Sequence, residues 1–204
     1  MLLSQEKRFL FIHIQKTGGT SITKMFKEEI KDLKSYRNPH SPLSAMEKRY
    51  EAYYKAAFVR NPYDRILSWY TMIDNMRKQL SPEQMDQHKN KVQREVMLNA
   101  DSFTGFVLNC EYVTSRSGWL PFHKNQIDYL SNENGEVAID FIGRFEHLAD
   151  DVEKLRKRLG LSHVHLPHVN RSKHHAYQSY YTEETKQIIA KRFERDLEYF
   201  KYQF

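Results

Sequence analysis

The sequence predicts an α/β fold, with helices flanking a central parallel sheet, and three observations carry that prediction. Two short apolar runs of strand length, residues 8–14 and 56–60, each end abruptly in a turn and then pass into a helical pattern. The chain between them is long enough for the crossover that parallel strands require. No internal repeat, low-complexity tract or linker interrupts the alternation of strand and helix, so residues 1–204 read as a single domain.

The first unit begins with Arg8-Phe9-Leu10-Phe11-Ile12-His13-Ile14, a buried strand that stops at Gln15-Lys16-Thr17-Gly18-Gly19. Beyond the glycines, Ile22, Met25, Phe26 and Ile30 fall on one face of an amphipathic helix. Asn38-Pro39-His40-Ser41-Pro42 is a loop by its punctuation, followed by a predicted helix over 43–52 and a second strand over 56–60. Asn61 then reads as an N-cap, Pro62 as the first helical residue and Asp64 as a first-turn carboxylate, so a helix is expected from 62 to about 78.

Residues 81–99 are expected to be helical in part, with an exposed loop at Ser81-Pro82. Asp101 is the expected cap of a short helix through Phe103, Phe106 and Val107, and 115–124 reads as loop. Residues 126–130 and 139–144 are read as two late strands. A helix over 146–159 is periodic through Leu148, Val152, Leu155 and Leu159 and stops at Gly160. Thr182 opens the last helix, which turns Ile188, Ile189, Phe193, Leu197 and Phe200 towards the core.

Composition narrows the function. With 40% hydrophobic and 13% aromatic residues the chain can build a substantial core. A formal charge of +6 predicts an anionic partner, without choosing among nucleotide, nucleic acid, acidic glycan and membrane surface. Cys110 is the single cysteine, which excludes an intrachain disulfide and any zinc framework built from several thiols. Charges arrive within Met1–Arg8, before any long apolar region, so neither a signal peptide nor a membrane span is drawn. The expectation is a cytoplasmic protein without a membrane partner, unless the chain is cut from a longer anchored parent.

The segment Lys16-Thr17-Gly18-Gly19-Thr20-Ser21 has the makings of a phosphate nest, since glycines let successive N–H groups converge and the following helix adds its positive end. Lys16 precedes the glycine pair, whereas the ATPase loop places lysine after its second glycine, so an ATPase of that type is disfavoured. A plain Gly-Gly turn beside a solvated lysine is the other reading of this segment alone. In Arg60-Asn61-Pro62-Tyr63-Asp64-Arg65, helix capping explains every polar residue up to Asp64 except Arg60. An arginine closing a strand stands at the carboxyl edge of the sheet, where it can grip a phosphate, and Ser68 lies on the same helix face as Asn61.

Together these segments resemble the sulfotransferase superfamily, most closely the branch of heparan sulfate 2-O- and 6-O-sulfotransferases and small bacterial relatives. The likeness covers nearly the whole chain, with Phe11–Ser21 matching the family's 5′-phosphosulfate loop except that Gln15 replaces a proline. It implies a P-loop-like sulfotransferase domain that takes 3′-phosphoadenosine-5′-phosphosulfate (PAPS) as donor, leaves 3′-phosphoadenosine-5′-phosphate (PAP), and uses no metal. It also implies Lys16, Thr17, Gly18, Gly19, Thr20 and Ser21 as the 5′ loop, with Arg60 and Ser68 at the 3′-phosphate. Residues 126–130, 142–146 and 166–172 are further similar pieces, to which no role is carried over.

Lys16 is the expected catalytic cation, because charge grows on the bridging oxygen as sulfur leaves it. His40 is the candidate base, with a surface-loop histidine as the alternative, while His13 is read as structural. His163, His165, His168, His174 and His175 cluster in sequence but lack helical His-x-x-x-His spacing or a companion carboxylate, so no metal is expected. Arg37, Lys48, Arg49, Lys55, Arg77 and Lys78 could form a groove for an acidic acceptor. Tyr50, Tyr53, Tyr54, Trp69 and Tyr70 could line a sugar or phenol pocket, or simply pack the core. The acceptor is expected to be a glycan or another polar or anionic hydroxyl compound; oligomeric state is not legible. Two readings stand beside this one: a basic nucleic-acid-binding protein, which lacks any zinc-finger, RNP or helix-turn-helix pattern, and a non-catalytic binder of PAPS or PAP.

Overall fold

The computed structural model describes residues 1–111, 113, 123–162 and 176–204. In chain order they form β1 (Leu2–Ser4), β2 (Phe9–Ile12), α1 (Gly19–Glu29), β3 (Lys34–Ser35), β4 (Tyr54–Val59), α2 (Pro62–Arg77), α3 (Pro82–Asp86), α4 (Lys91–Asn99), α5 (Phe103–Asn109), α6 (Ile127–Leu130), β5 (Phe141–Arg144), α7 (Leu148–Arg158), α8 (Glu183–Arg192) and α9 (Glu194–Phe200). The chain divides into two compact units, whose described residues fall within Met1–Arg60 and Gln126–Arg171 for the first, and Asn61–Asn125 and Ser172–Phe204 for the second.

The first unit is built on a five-stranded sheet in the order β3-β1-β2-β4-β5. β2 pairs parallel with β4 (Phe11 opposite Ala56), and β4 parallel with β5 (Phe58 opposite Gly143). β1 runs antiparallel to both β2 and β3, so the sheet is mixed, which corrects the expectation of a parallel one. The cause is the short turn after Ser4, which leaves no room for a crossover. Asp32 secures that turn by accepting from the Ser4 hydroxyl and from the Gln5 and Glu6 amides. The apolar stripe of α1 packs Ile22, Met25 and Phe26 onto Phe9, Phe11, Ala56 and Phe58, in one cluster with Val152 and Leu155 of α7. Phe26 meets Phe9 and Phe11 edge-on at 5.2 and 5.4 Å, the arrangement that ring quadrupoles favour.

Two expected elements of this unit are corrected. The helix expected over 43–52 is a pair of 3₁₀ turns, Leu43–Ala45 and Lys48–Tyr50. Between them Glu47 is extended and its amide donates to the Tyr36 hydroxyl, a tertiary bond in place of a helical one. The strand expected over 126–130 is the helical turn α6. Gln126 has helical backbone angles there, and its fully buried side chain bonds the Arg60 main chain.

The second unit is helical. Asn61 caps α2 as expected, accepting from the Tyr63 amide, with Pro62 first in the helix and Asp64 in its first turn. Ser81 caps α3 in a reciprocal capping box rather than sitting in a loop. Ser102, not Asp101, caps α5 by accepting from the Gly105 amide, because a hydroxyl one residue nearer the helix reaches that N–H. Thr182 caps α8 as expected, but the last helix is divided into α8 and α9 at the fully buried Phe193, whose backbone leaves the helical region. Ile66, Leu67, Ile73, Val96, Phe103, Phe106, Ile189 and Phe193 form the core of this unit, joined by Trp69 and Tyr70, which are therefore packing residues.

The five-histidine cluster at 163–175, the segment 166–172 and most of the loop 115–124 lie outside the described residues. Among the described residues no helix is long and apolar enough to cross a membrane. Nor is any group of three or more His, Cys, Asp or Glu placed to hold a metal ion. Cys110 is buried, and burial raises its thiol to about 11, so it is no nucleophile.

Candidate functional site

The loop between β2 and α1 is shaped by backbone angles that few residues adopt. Lys16 (φ 68°) and Gly18 (φ 81°) are both left-handed. For a lysine that conformation costs roughly 1–2 kcal/mol, strain of the kind that persists where surrounding structure over-determines it. Thr17 anchors the curl from within: its buried hydroxyl donates to the Ile14 carbonyl at 2.8 Å. The Thr17 side chain is thus part of the loop's own scaffold.

Gly18 stands at the N-cap of α1, yet no side chain caps the helix and no acidic residue occupies its first turn. The first N–H groups of a helix have no intrahelical acceptor, so this end presents donors and a positive dipole. Gly18 and Gly19 are required for close approach. A Cβ on Gly18 would lie 3.1 Å from Leu148 and 3.2 Å from Phe145, and one on Gly19 would fall 2.0 Å from the His13 ring. Ser21 is buried with its amide directed to the Gly18 carbonyl, and Thr20 is exposed.

Arg60 follows β4 directly, as the sequence predicted, and is buried. Its guanidinium donates to the Lys16 carbonyl at 3.2 Å and lies 4.1 Å above the Phe145 ring. Gln126 fixes the Arg60 main chain from both sides, accepting from its amide (2.9 Å) and donating to its carbonyl (2.8 Å). Lys16 and Arg60 are therefore brought together in the first unit, with the Arg60 main chain held by Gln126. Burial first, and the Arg60 charge second, lower the Lys16 ammonium to about 8. An anion between these groups would reverse that effect.

His40 is held against the same loop. Its Nδ1 lies 3.0 Å from the His13 carbonyl, and a carbonyl can only accept, so Nδ1 carries the proton and Nε2 keeps its lone pair. Burial lowers its pKa and outweighs the contrary pull of that hydrogen bond, leaving the ring neutral and basic at Nε2. The two imidazoles meet edge-on at 4.7 Å. Ser68 is buried in α2, within the second unit.

The expected basic groove divides. Lys55 is buried and donates to the Glu51 and Tyr53 carbonyls, a structural role. Arg77 and Lys78 pair with Asp74 in the second unit. Arg37, Lys48 and Arg49 are exposed on the segment that carries His40, with Arg37 over Tyr36 and Arg49 over Tyr50, and both arginines pair with Glu47, at 3.4 and 2.9 Å. Sequence reasoning missed the parts played by Phe145 and Gln126, although both lie in stretches that resembled the superfamily. The available signal was that likeness; the contacts themselves join positions far apart in the chain.

The model of the family described as "Sulfotransferase family" matches residues 1–203. The chain belongs to the sulfotransferase family. No curated protein and no solved structure gave a match. The family's reaction is the transfer of a sulfuryl group from PAPS to a hydroxyl, and membership makes this protein a transferase of that general type. The left-handed loop, the uncapped start of α1 and the paired cations Lys16 and Arg60 suit a donor that carries several negative charges.

Proposed function

We propose that this sulfotransferase binds PAPS through Lys16, Thr17, Gly18, Gly19, Thr20, Ser21, Arg60 and Ser68, and sulfates a carbohydrate hydroxyl with His40 as base. The observation that carries the reading is the geometry of the loop: the uncapped start of α1 is reached through the left-handed Lys16 and Gly18, and the buried Arg60 guanidinium donates to the Lys16 carbonyl, so backbone donors and two cations are gathered for an anion. PAPS supplies, when bound, an activated sulfuryl group with a nucleotide phosphate as leaving group.

Each residue then has a physical task. The amides opening α1 hold the 5′ end by hydrogen bonds and dipole. Lys16 stabilises the negative charge that grows on the bridging oxygen, an interaction stronger in the transition state than in the ground state. Arg60, stacked on Phe145 and clamped by Gln126, offers a fixed cation to the 3′-phosphate. The assignment of Ser68 to that phosphate rests on the sequence likeness alone. His40 accepts the hydroxyl proton at Nε2, the nitrogen left free by its bond to the His13 carbonyl.

A carbohydrate acceptor is supported by the resemblance to the heparan sulfate 2-O/6-O branch. The segment that carries His40 also exposes Arg37, Lys48 and Arg49, both arginines pairing with Glu47, and exposed cations favour an acidic acceptor.

The test is transfer of labelled sulfate from PAPS to a panel of an acidic glycosaminoglycan, a neutral saccharide and a simple phenol. Transfer to a saccharide that is lost in Lys16→Met and His40→Asn supports the proposal. Full turnover by either variant removes its assigned role, and transfer to the phenol alone replaces the acceptor class.

A further inference from the structure

His13 is held by more of the site than a structural residue requires. Leaving β2, its ring stacks on Phe11 at 6.2 Å and meets His40 edge-on at 4.7 Å. The same ring lies on Gly19, the first residue of α1, so closely that a Cβ there would fall 2.0 Å from both its Cδ2 and its Nε2. Its main-chain carbonyl takes the Nδ1 proton of His40. One residue thus touches the start of the donor loop through its ring, and orients the candidate base through its carbonyl.

We propose that His13 is a positioning residue which sets the phosphate loop and His40 in register, its ring seating Gly19 and its carbonyl fixing the tautomer and place of His40. The proposal rests on the reading of His40 as the base. In-line transfer needs base and donor aligned to a fraction of an ångström, and a 1 Å misplacement costs about a hundredfold in rate. A single residue that contacts both removes an independent degree of freedom between them. The titratable groups facing the pair are each other and the α-amino group of Met1, which donates to the Asn38 and Pro39 carbonyls beside His40. Burial, then His40, then that amine lower His13 to about 3, so its ring stays neutral and only His40 exchanges a proton in the working range.

The experiment has two arms. In the first, PAP binding is measured by calorimetry in Gly19→Ala, His13→Ala and the double variant. The added methyl collides with the ring, so Gly19→Ala should weaken binding at least tenfold, and His13→Ala on that background should recover part of the loss. Equal losses with and without the ring overturn the seating of Gly19.

The second arm follows the His40 ring by nitrogen NMR and the pH profile of turnover in His13→Ala and His13→Phe. Admitting water should raise the His40 pKa towards its ordinary value in His13→Ala, move the acid limb of kcat by the same amount and lower kcat about tenfold. Because Phe keeps a planar ring there, His13→Phe should retain more kcat than His13→Ala; a folded His13→Phe that loses tenfold in kcat overturns the positioning role of the ring, so the test stands if the alanine variant does not fold. A His40 titration and kcat unchanged in His13→Ala overturn the proposal. Failure of the base reading is distinguishable, since His40→Asn would then leave turnover intact while the binding cycle and the titration still report on His13.

Discussion

The two strand-to-helix turns of this protein solve the same problem in opposite ways. After β4, Asn61 satisfies the Tyr63 amide, Pro62 removes a donor and Asp64 answers the dipole, so α2 begins closed. After β2, α1 begins at Gly18 with neither a side-chain cap nor a first-turn carboxylate, and the chain reaches it through a strained left-handed lysine. A closed start contributes stability by satisfying its own donors. An open start forgoes about 1 kcal/mol of capping and keeps its donors for a ligand. The difference teaches where an anion can be held by backbone and where it must be held by side chains.

The most severe way to break the open turn is to remove its cation. Lys16→Met should lower kcat by roughly a hundred- to a thousandfold, the scale of losing one transition-state donor, in a sulfate-transfer assay at saturating PAPS. Next, Thr20→Asp would give α1 the first-turn carboxylate that α2 already has in Asp64. Thr20 is exposed and α1 holds no acidic residue in that turn, so unfolding temperature should move by only a few degrees. PAP affinity should fall roughly a hundredfold or more, because like charges brought together cost several kcal/mol. A variant that binds PAP normally would show that the open end is not the anion site.

A gentler probe is pH. In the unliganded protein, burial and the Arg60 charge lower the Lys16 ammonium to about 8, and a bound anion raises that value. Below 8 the lysine is charged in both states and affinity is flat. Above 8 binding must take up a proton, so affinity should fall about tenfold per pH unit until the raised pKa of the complex is reached. Lys16→Arg, charged throughout, should flatten the calorimetric profile. Smallest is Asn61→Ala at the closed turn. It removes a cap and the bonds to the Tyr177 hydroxyl and Gln203 carbonyl, and should cost about 1 kcal/mol in urea unfolding with PAP affinity within twofold.

Local chemistry was legible wherever neighbours in sequence are the interacting groups. Asn61, Pro62 and Thr182 as helix starts, the apolar stripe of α1 and the strand before Lys16 all depend on spacing of a few residues. The expected helix over 43–52 failed because the Glu47 amide found the Tyr36 hydroxyl, and the expected strand over 126–130 failed because Gln126 was claimed by Arg60. Propensity could not anticipate either, since both partners are distant in the chain.

By itself, then, the sequence determined the α/β class, the glycine-lined loop with its lysine, and the arginine that closes the second strand. Each is a matter of local backbone freedom and side-chain period. Only the tertiary structure decided that the sheet is mixed, that Phe145 and Gln126 hold Arg60 against Lys16, and that His13 stands between Gly19 and His40. Those contacts come from packing across strands and loops far apart in the chain, where burial and hydrogen-bond satisfaction, not local preference, set which residues meet.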